Sequence, residues 1–183
     1  ARGLPYVTGP LILNGVETGL PLAVMDATWI TAHRTGAATA LAARYLARPE
    51  SGVVGILACG VQGRTNLMPL AALFRLRKVY AYDRKRENQD RYASEMSSLL
   101  GLEAVGVKEP REAVADADLV VTSGPILKQP KPTIGKDWLR PGAFASAVDY
   151  DSYWTGEALA QLDRIATDDH AQLRYYRELG YFQ

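Results

Sequence analysis

The chain has 183 residues, which suits one domain of ordinary size or one domain with part of another. Hydrophobic residues make up 48% and charged residues 22%, a composition that favours a packed core over disorder. The formal net charge of +1 argues against a nucleic-acid-binding protein, which usually carries a clear basic excess. The single cysteine, Cys59, excludes an internal disulfide, and we interpret it as a small buried filler.

No apolar stretch is long enough to predict a membrane span, which needs about 18–20 residues. The two histidines, His33 and His170, are far apart and have no metal-binding spacing, so we expect no bound metal. We expect a cytoplasmic protein. Because the chain starts at Ala1 and opens in the middle of a pattern, we interpret it as an internal stretch of a longer protein.

The first part of the chain predicts a hairpin followed by a long helix. Two β-like segments, residues 4–13 and 20–25, flank turn-forming residues 14–19. A hairpin alone is marginally stable in water, so its sheet partners are expected outside this chain. Thr28 is a suitable N-cap for an alanine-rich helix that runs to about residue 47 and bridges to the next domain.

The most informative stretch is VVGILACGVQGR, residues 53–64, which predicts a strand, a glycine turn and a helix start. About twenty residues later Asp83 ends a second β-like stretch, which completes the pattern of a dinucleotide-binding turn and its ribose-binding acid. The alternative is an ordinary turn of an α/β domain. Ala58 occupies the position of the first glycine, so either this turn is not left-handed or the pattern has degraded.

The rest of the chain alternates β-like and helical segments. Strands are predicted at residues 53–57, 78–82, 104–107, 119–122, 143–148 and 164–167, and helices at 62–76, 87–100, 110–115, 156–162 and 171–179. This alternation predicts an α/β fold: a Rossmann-type, doubly wound parallel sheet, preceded by the hairpin and bridging helix of a second, largely absent α/β domain. The expected division is 1–27 hairpin, 28–50 bridging helix, 51–168 Rossmann domain and 169–183 C-terminal helix.

Several segments, in order, resemble the ornithine cyclodeaminase/mu-crystallin family over nearly the whole chain. Residues 31–46, TAHRTGAATALAARYL, are similar to the family's T-A-x-R-T-x-A signature. The turn GVQ at 60–62 is similar to its G-x-G-x-Q without the first glycine. Further similarities are ADLVVT at 117–122, WLRPG at 138–142, and AVDYD at 147–151, where the family has A-V-G-x-D.

The resemblance implies an NAD-dependent enzyme, an oxidoreductase or lyase, with NADP the less favoured cofactor. It would move a hydride at the α-carbon of a small amino acid or its imine and form a homodimer through the missing domain. Arg34 would hold the substrate carboxylate, and Asp151 would lie near the substrate amine as the catalytic group. The residues expected to bind cofactor are Arg34, Thr35, Gly60, Val61, Gln62, Asp83, Arg84, Thr122, Ser123, Ala147 and Val148.

Some positions depart from the family's cyclodeaminases. Thr155 stands where they have a lysine, and Gly124 where they have a threonine. Residues 149–154, DYDSYW, are more aromatic than their P-G-K pattern. The alternative to an enzyme is a mu-crystallin-like binding protein that keeps the cofactor fold without turnover. Without the resemblance, Arg34 would be a solvated helix residue, and Asp149 and Asp151 caps of the following helix.

Overall fold

The computed structural model describes residues 7–127, 129 and 131–181. The predicted hairpin is confirmed: β1 (Pro10–Asn14) pairs antiparallel with β2 (Pro21–Asp26) in a separate two-stranded sheet. The first strand begins at Pro10 rather than at residue 4, and residues 4–6 lie outside the described residues. More than half of the surface of several large apolar side chains is exposed on this hairpin: Ile12, Val16, Leu20, Leu22 and Val24.

Helix α1 (Ala27–Leu46) begins directly after the hairpin. Its N-cap is Asp26 rather than the predicted Thr28, because the Asp26 carboxylate accepts a hydrogen bond of 2.9 Å from the Thr28 amide. A side chain at Gly36 would collide with the carbonyl oxygen of Thr65. The alanine-rich helix therefore crosses the helix after the glycine turn with the two backbones in close contact.

The second sheet has five parallel strands in the order β5-β4-β3-β6-β7. Its strands are β3 (Val53–Leu57), β4 (Lys78–Tyr82), β5 (Glu103–Gly106), β6 (Leu119–Thr122) and β7 (Phe144–Ala147). The helices that accompany it are α2 (Val61–Leu73), α3 (Arg86–Leu100), α4 (Pro110–Val114), α5 (Gly156–Ala160) and α6 (His170–Glu178). Numbered from β3, this order is 3-2-1-4-5, the arrangement of a Rossmann-type sheet with one complete half and two strands of the other.

Both faces of this sheet are covered, as the doubly wound prediction requires. Val54 and Ile56 of β3 face a core cluster that includes Ala43 of α1 and Leu67 of α2. Leu57 belongs to a second cluster, on the other face, built largely from α4 and the segment around Trp154 and α5. Alternate residues of a strand point to opposite faces, so strands buried on both sides are apolar at nearly every position.

The strand predicted at residues 164–167 is wrong, since these residues form neither helix nor strand. Ile165 is the segment's only large apolar side chain and is 65% exposed, so the segment has too little apolar surface to hold it on the sheet. The other predicted strands and helices are confirmed within a few residues at each end. In the part of the chain that the structure describes, no helix is long and apolar enough to cross a membrane.

Candidate functional site

The strand order of the parallel sheet determines where a ligand can bind. The chain builds β3, β4 and β5 in one direction and then returns to place β6 on the other side of β3. Ligands of open α/β sheets bind in the crevice at such a reversal, beyond the carboxyl ends of the strands. Here the crevice lies between the ends of β3 and β6. The predicted residues Gly60, Asp83, Ser123 and Val148 follow four adjacent strands and therefore lie along this one edge.

The turn after β3 is left-handed at Ala58, which has φ 75°. Of the two alternatives left open by the sequence, the first is therefore wrong: an alanine adopts the conformation expected of a glycine. The Ala58 amide donates to the Tyr82 carbonyl (2.9 Å), and its own carbonyl accepts from the Ser123 hydroxyl (3.1 Å). A Cβ on Gly63 would lie 2.7 Å from that carbonyl oxygen. Contacts on several sides thus impose this strained conformation.

Helix α2 starts at the end of the turn, with Gly60 as a cap that supplies no side-chain hydrogen bond. The first amides of a helix have no intrahelical acceptor, so the Gly60–Gln62 backbone presents donors and the positive end of the helix dipole. Val61 is 63% exposed, which leaves this surface open. The arrangement suits a phosphate group.

Arg64 is a supporting residue that the sequence reasoning missed. Its guanidinium donates to the carbonyls of Cys59 (2.5 Å) and Gly60 (3.1 Å) and pairs with Glu95 of α3 (2.5 Å). It therefore ties the glycine turn to α3. The available signal was its position one turn into the helix that follows the glycines.

Asp83 joins the end of β4 to the glycine turn. One carboxylate oxygen accepts from the Cys59 amide and the other from the Lys85 amide, both at 2.9 Å. The side chain remains partly exposed, and a carboxylate offers about four acceptor positions, so it can still accept from ribose hydroxyls. Arg84 beside it is exposed.

Asp149 is the most deeply buried carboxylate of this edge, at 1% exposure. Its two oxygens accept from the Thr122 hydroxyl (2.6 Å) and the Gly124 amide (2.7 Å), while Thr122 accepts from the Trp154 indole (3.1 Å). Burial raises the pKa of Asp149 to about 6, although the hydrogen bonds from Thr122 and Gly124 lower it; the Asp151 charge adds to the rise. The Thr122 hydroxyl is thus hydrogen-bonded within the protein and holds the Asp149 carboxylate and the Trp154 indole in position.

The helix-cap interpretation of Asp149 and Asp151 is wrong, because Thr155 caps α5 through a hydrogen bond from Ala158. Asp151 is 9% exposed, and its carbonyl accepts from the Trp154 amide (3.1 Å). Between the two acids, Tyr150 has φ 59° and packs its ring 4.7 Å from that of Tyr176 on α6. This left-handed residue turns the chain sharply just after the end of β7.

Val148 continues the pairing of β7, since its amide donates to the Thr122 carbonyl (3.0 Å), and it is half-buried. Ala147, at the end of the strand, is exposed. Both residues therefore lie at the edge where they were predicted.

Arg34 lies on α1 at the level of the same edge. The Thr39 hydroxyl contacts that of Ser146 on β7 (2.8 Å), and Arg48 packs against Gly142, so α1 runs antiparallel to β7. Five residues before Thr39 correspond to about 7.5 Å along the helix, which places Arg34 beyond the carboxyl end of β7. Arg34 is exposed and makes no hydrogen bond or ion pair with another described residue. Thr35 bonds back to the Thr31 carbonyl (2.8 Å).

Cys59 is buried, as expected of a filler residue. Burial, with a smaller contribution from Asp83, raises the pKa of its thiol to about 12, so the thiol stays protonated and is a poor nucleophile. Among residues 7–127, 129 and 131–181, no three histidine, cysteine, aspartate or glutamate side chains are arranged to hold a metal ion.

These features define a Rossmann-type α/β protein with a glycine turn and acids at the carboxyl edge of its sheet. The chain belongs to the ornithine cyclodeaminase/mu-crystallin family, whose model matches residues 1–178. Alanine dehydrogenase of Archaeoglobus fulgidus is 36% identical over 186 residues, covering 98% of this chain and 55% of that protein. The chain spans about half the length of the curated relatives it matches.

Solved structures give the same result. The Δ1-pyrroline-2-carboxylate reductase of Thermococcus litoralis, solved with NADH and L-proline, is 36% identical with a TM-score of 0.79; the match covers 86% of this chain and 49% of that one. An archaeal alanine dehydrogenase dimer with bound NAD is 38% identical with a TM-score of 0.72, covering 79% and 43%. Both neighbours are dehydrogenases or reductases of amino acids or cyclic imines by their names.

Proposed function

We propose that the protein containing this chain transfers a hydride between NAD(H) and the α-carbon of a small amino acid or its imine. The observation that carries this proposal is the shared edge: the glycine turn, Asp83 and Asp151 follow neighbouring strands, and Arg34 of α1 lies near the end of β7. Relatives named as alanine dehydrogenase and pyrroline-2-carboxylate reductase support the same chemistry.

The residues present fit NAD. The Gly60–Gln62 amides suit the diphosphate, and the absence of a side chain on Gly63 allows α2 to start close to Ala58. The Asp83 carboxylate accepts ribose hydroxyls and repels a 2′-phosphate, which favours NAD over NADP. When bound, the nicotinamide accepts or donates the hydride.

Arg34 and Asp151 are the residues proposed to act on the substrate. The Arg34 guanidinium has the planar fork that matches a carboxylate through two hydrogen bonds. Hydride leaves the α-carbon only when the amine nitrogen has a free lone pair, so an ammonium group must first lose a proton. The Asp151 carboxylate is proposed to accept that proton and to stabilise the resulting iminium charge.

Amino-acid or imine oxidoreduction is favoured over cyclodeamination. Thr155 stands where family cyclodeaminases have a lysine, and the segment around Asp149 and Tyr153 differs from theirs. The two relatives that cover most of this chain at 36% identity carry dehydrogenase and reductase names.

A homodimer is proposed through the part of the protein that contains the hairpin. The apolar hairpin surface formed by Ile12, Leu20, Leu22 and Val24 is more than half exposed in the chain as described, and burial of such surface is favourable. The archaeal alanine dehydrogenase neighbour is a dimer. The proposed division remains 1–27, 28–50, 51–168 and 169–183.

The test is a panel of amino acids and cyclic imines screened for NAD reduction or NADH oxidation by the full-length protein. With the best substrate, Arg34→Ala should lower kcat/KM by roughly 30-fold or more, as expected for a desolvated charge-assisted contact worth about 2–5 kcal/mol. Arg34→Lys should restore only part of this activity, because lysine lacks the fork.

Arg44→Ala is the matched control, since Arg44 is exposed near the other end of the same helix and should be neutral. No hydride transfer with any substrate would contradict the proposed function. An unchanged kcat/KM in Arg34→Ala would contradict only the role of Arg34.

A further inference from the structure

Ser152 and Tyr153 belong to the aromatic segment that departs from the family pattern, and the proposed reaction gives them no role. Both are buried, at 5% and 7% exposure. They nevertheless line a small cleft of about 130 Å³ whose other walls include Ala58, Asp83 and Arg84. The cleft therefore connects the glycine turn and the ribose-binding acid with this segment.

Gly124 makes room for the Tyr153 ring. A Cβ at position 124 would lie 2.7 Å from Cε2 of Tyr153 and 3.3 Å from its hydroxyl oxygen. It would also lie 3.3 Å from the Asp149 carboxylate, which accepts a hydrogen bond from the Gly124 amide. The glycine and the tyrosine thus occur together for a steric reason: any side chain at 124 would push the ring out of its position.

The two hydroxyl groups of this segment differ in how they are placed. The Ser152 Oγ is buried and has no hydrogen-bond partner among the described residues. The Tyr153 carbonyl accepts from Thr133 and Ile134, whereas its phenol makes no hydrogen bond with a described residue. The Tyr153 phenol therefore has a donor to offer a ligand in the cleft, and such a hydrogen bond would be favourable.

The phenol has the right chemistry for an acceptor-rich ligand. Burial raises the pKa of Tyr153 to about 12, and the Asp149 charge adds to this rise, so the hydroxyl keeps its proton and is a donor at neutral pH. The Arg84 charge is close enough to act on the same pKa in the opposite direction. A group that enters between Tyr153 and Arg84 therefore meets a donor and a cation.

We propose that the Tyr153 phenol, at the cleft between Ala58 and Asp83, binds an oxygen of the adenosine ribose or diphosphate of the dinucleotide. The inference rests on the proposed NAD-dependent function and adds a specific contact to it. The phenol donates to a ribose or phosphate oxygen, Arg84 supplies the positive charge, and Gly124 keeps the ring in place. The contact belongs to the adenosine side of the cofactor, because Asp83 and Arg84 follow β4.

The test is titration calorimetry of the full-length protein with NADH, with ADP-ribose, and with reduced nicotinamide mononucleotide, which lacks the adenosine half. Tyr153→Phe should raise the Kd for both NADH and ADP-ribose by about five- to tenfold, the effect of one lost hydrogen bond. Its affinity for the mononucleotide should not change. Gly124→Ala should weaken the same two ligands by displacing the ring.

Tyr45→Phe makes the same chemical change on a tyrosine that is 75% exposed near the C-terminal end of α1, and it should leave every Kd unchanged. An unchanged ADP-ribose Kd in Tyr153→Phe would overturn the inference, as would an equal loss for the mononucleotide. Either result would concern only the variant, with the wild-type protein still binding NADH, so it is distinct from failure of the proposed function. A wild-type protein that binds neither NADH nor ADP-ribose would overturn both.

Discussion

Each edge of the parallel sheet has a hydrogen-bonded aspartate, but the two aspartates have different surroundings. At the amino edge, one Asp118 oxygen accepts from the Gly52 (2.8 Å) and Val53 (3.0 Å) amides, and the other pairs with Arg140 (2.8 Å). At the carboxyl edge, Asp149 also accepts two hydrogen bonds, but no described arginine or lysine pairs with it. One carboxylate is neutralised by a cation, and the other is buried without one.

This difference distinguishes an aspartate that stabilises the fold from the residues of a binding site. Asp118 has its charge and both oxygens satisfied within the protein, so it can fix the starts of β3 and β6 without any ligand. At the carboxyl edge, Val61 is exposed at the start of α2, and Asp83 after β4 is partly exposed. Exposed donors and acceptors at the carboxyl ends of the strands can contact a bound molecule, which is the usual arrangement of a binding edge.

Asp151 should show the difference most strongly. Asp151→Asn keeps the side-chain shape but removes charge and basicity, so kcat should fall by at least about 100-fold with nearly unchanged affinity for NADH. Steady-state kinetics and an NADH titration of the same variant measure both quantities. If the variant loses stability but keeps its rate, Asp151 is a structural residue, and another base carries the proton.

Asp149 should make stability depend on pH, because its pKa is about 6 in the folded protein and 3.8 ordinarily. Between these values the folded chain binds more protons than the unfolded chain, so the contribution of Asp149 to stability is present at low pH and is lost as pH rises through 6. The shift corresponds to on the order of 3 kcal/mol. Only the wild type should lose this contribution, so the free energy of unfolding of Asp149→Asn, relative to that of wild type, should increase as the pH rises from 4 to 7.

Chemical unfolding at several pH values measures this relative gain. Asp90→Asn is the control, since Asp90 is an exposed residue of α3 and should not change the pH profile in this direction. A difference between wild type and Asp149→Asn that is constant from pH 4 to 7 would show that Asp149 ionises normally in the folded protein.

The sequence predicted the sheet well because its signals are local. The apolar runs of β3 and β6 and the glycine turn between β3 and α2 identify a buried parallel sheet by themselves. The hairpin was also found from its two strands and turn. The strand at 164–167 was predicted wrongly because a short β-like run gives no information on whether a sheet position exists for it.

The site was predictable only in part. Asp83 follows a strand at the expected spacing from the turn, so its place on the edge could be predicted. The network of Thr122, Gly124 and Asp149 joins residues 25–27 positions apart, and no local pattern indicates such a pairing. The left-handed Ala58 contradicts its own conformational preference, so only the surrounding contacts reveal it.

Ala58 gives the smallest expected effect. Ala58→Gly should stabilise the protein by up to about 1 kcal/mol, because relief of the left-handed strain exceeds the added flexibility of the unfolded chain. Ala37→Gly, in the exposed interior of α1, should instead destabilise by about 1 kcal/mol. Urea unfolding of the two variants compares them directly, and a loss of stability in both would mean that Ala58 is not strained.

The most direct test compares NADH and NADPH binding by wild type, Asp83→Ser and Asp118→Asn. We expect wild type to prefer NADH, and Asp83→Ser to bind NADH at least about tenfold more weakly with a narrower preference, because it loses charge-assisted hydrogen bonds to ribose. Asp118→Asn should unfold more easily and keep the wild-type Kd. Equal or tighter NADPH binding by wild type, or a weakened Kd in Asp118→Asn alone, would contradict an NAD site at the carboxyl edge.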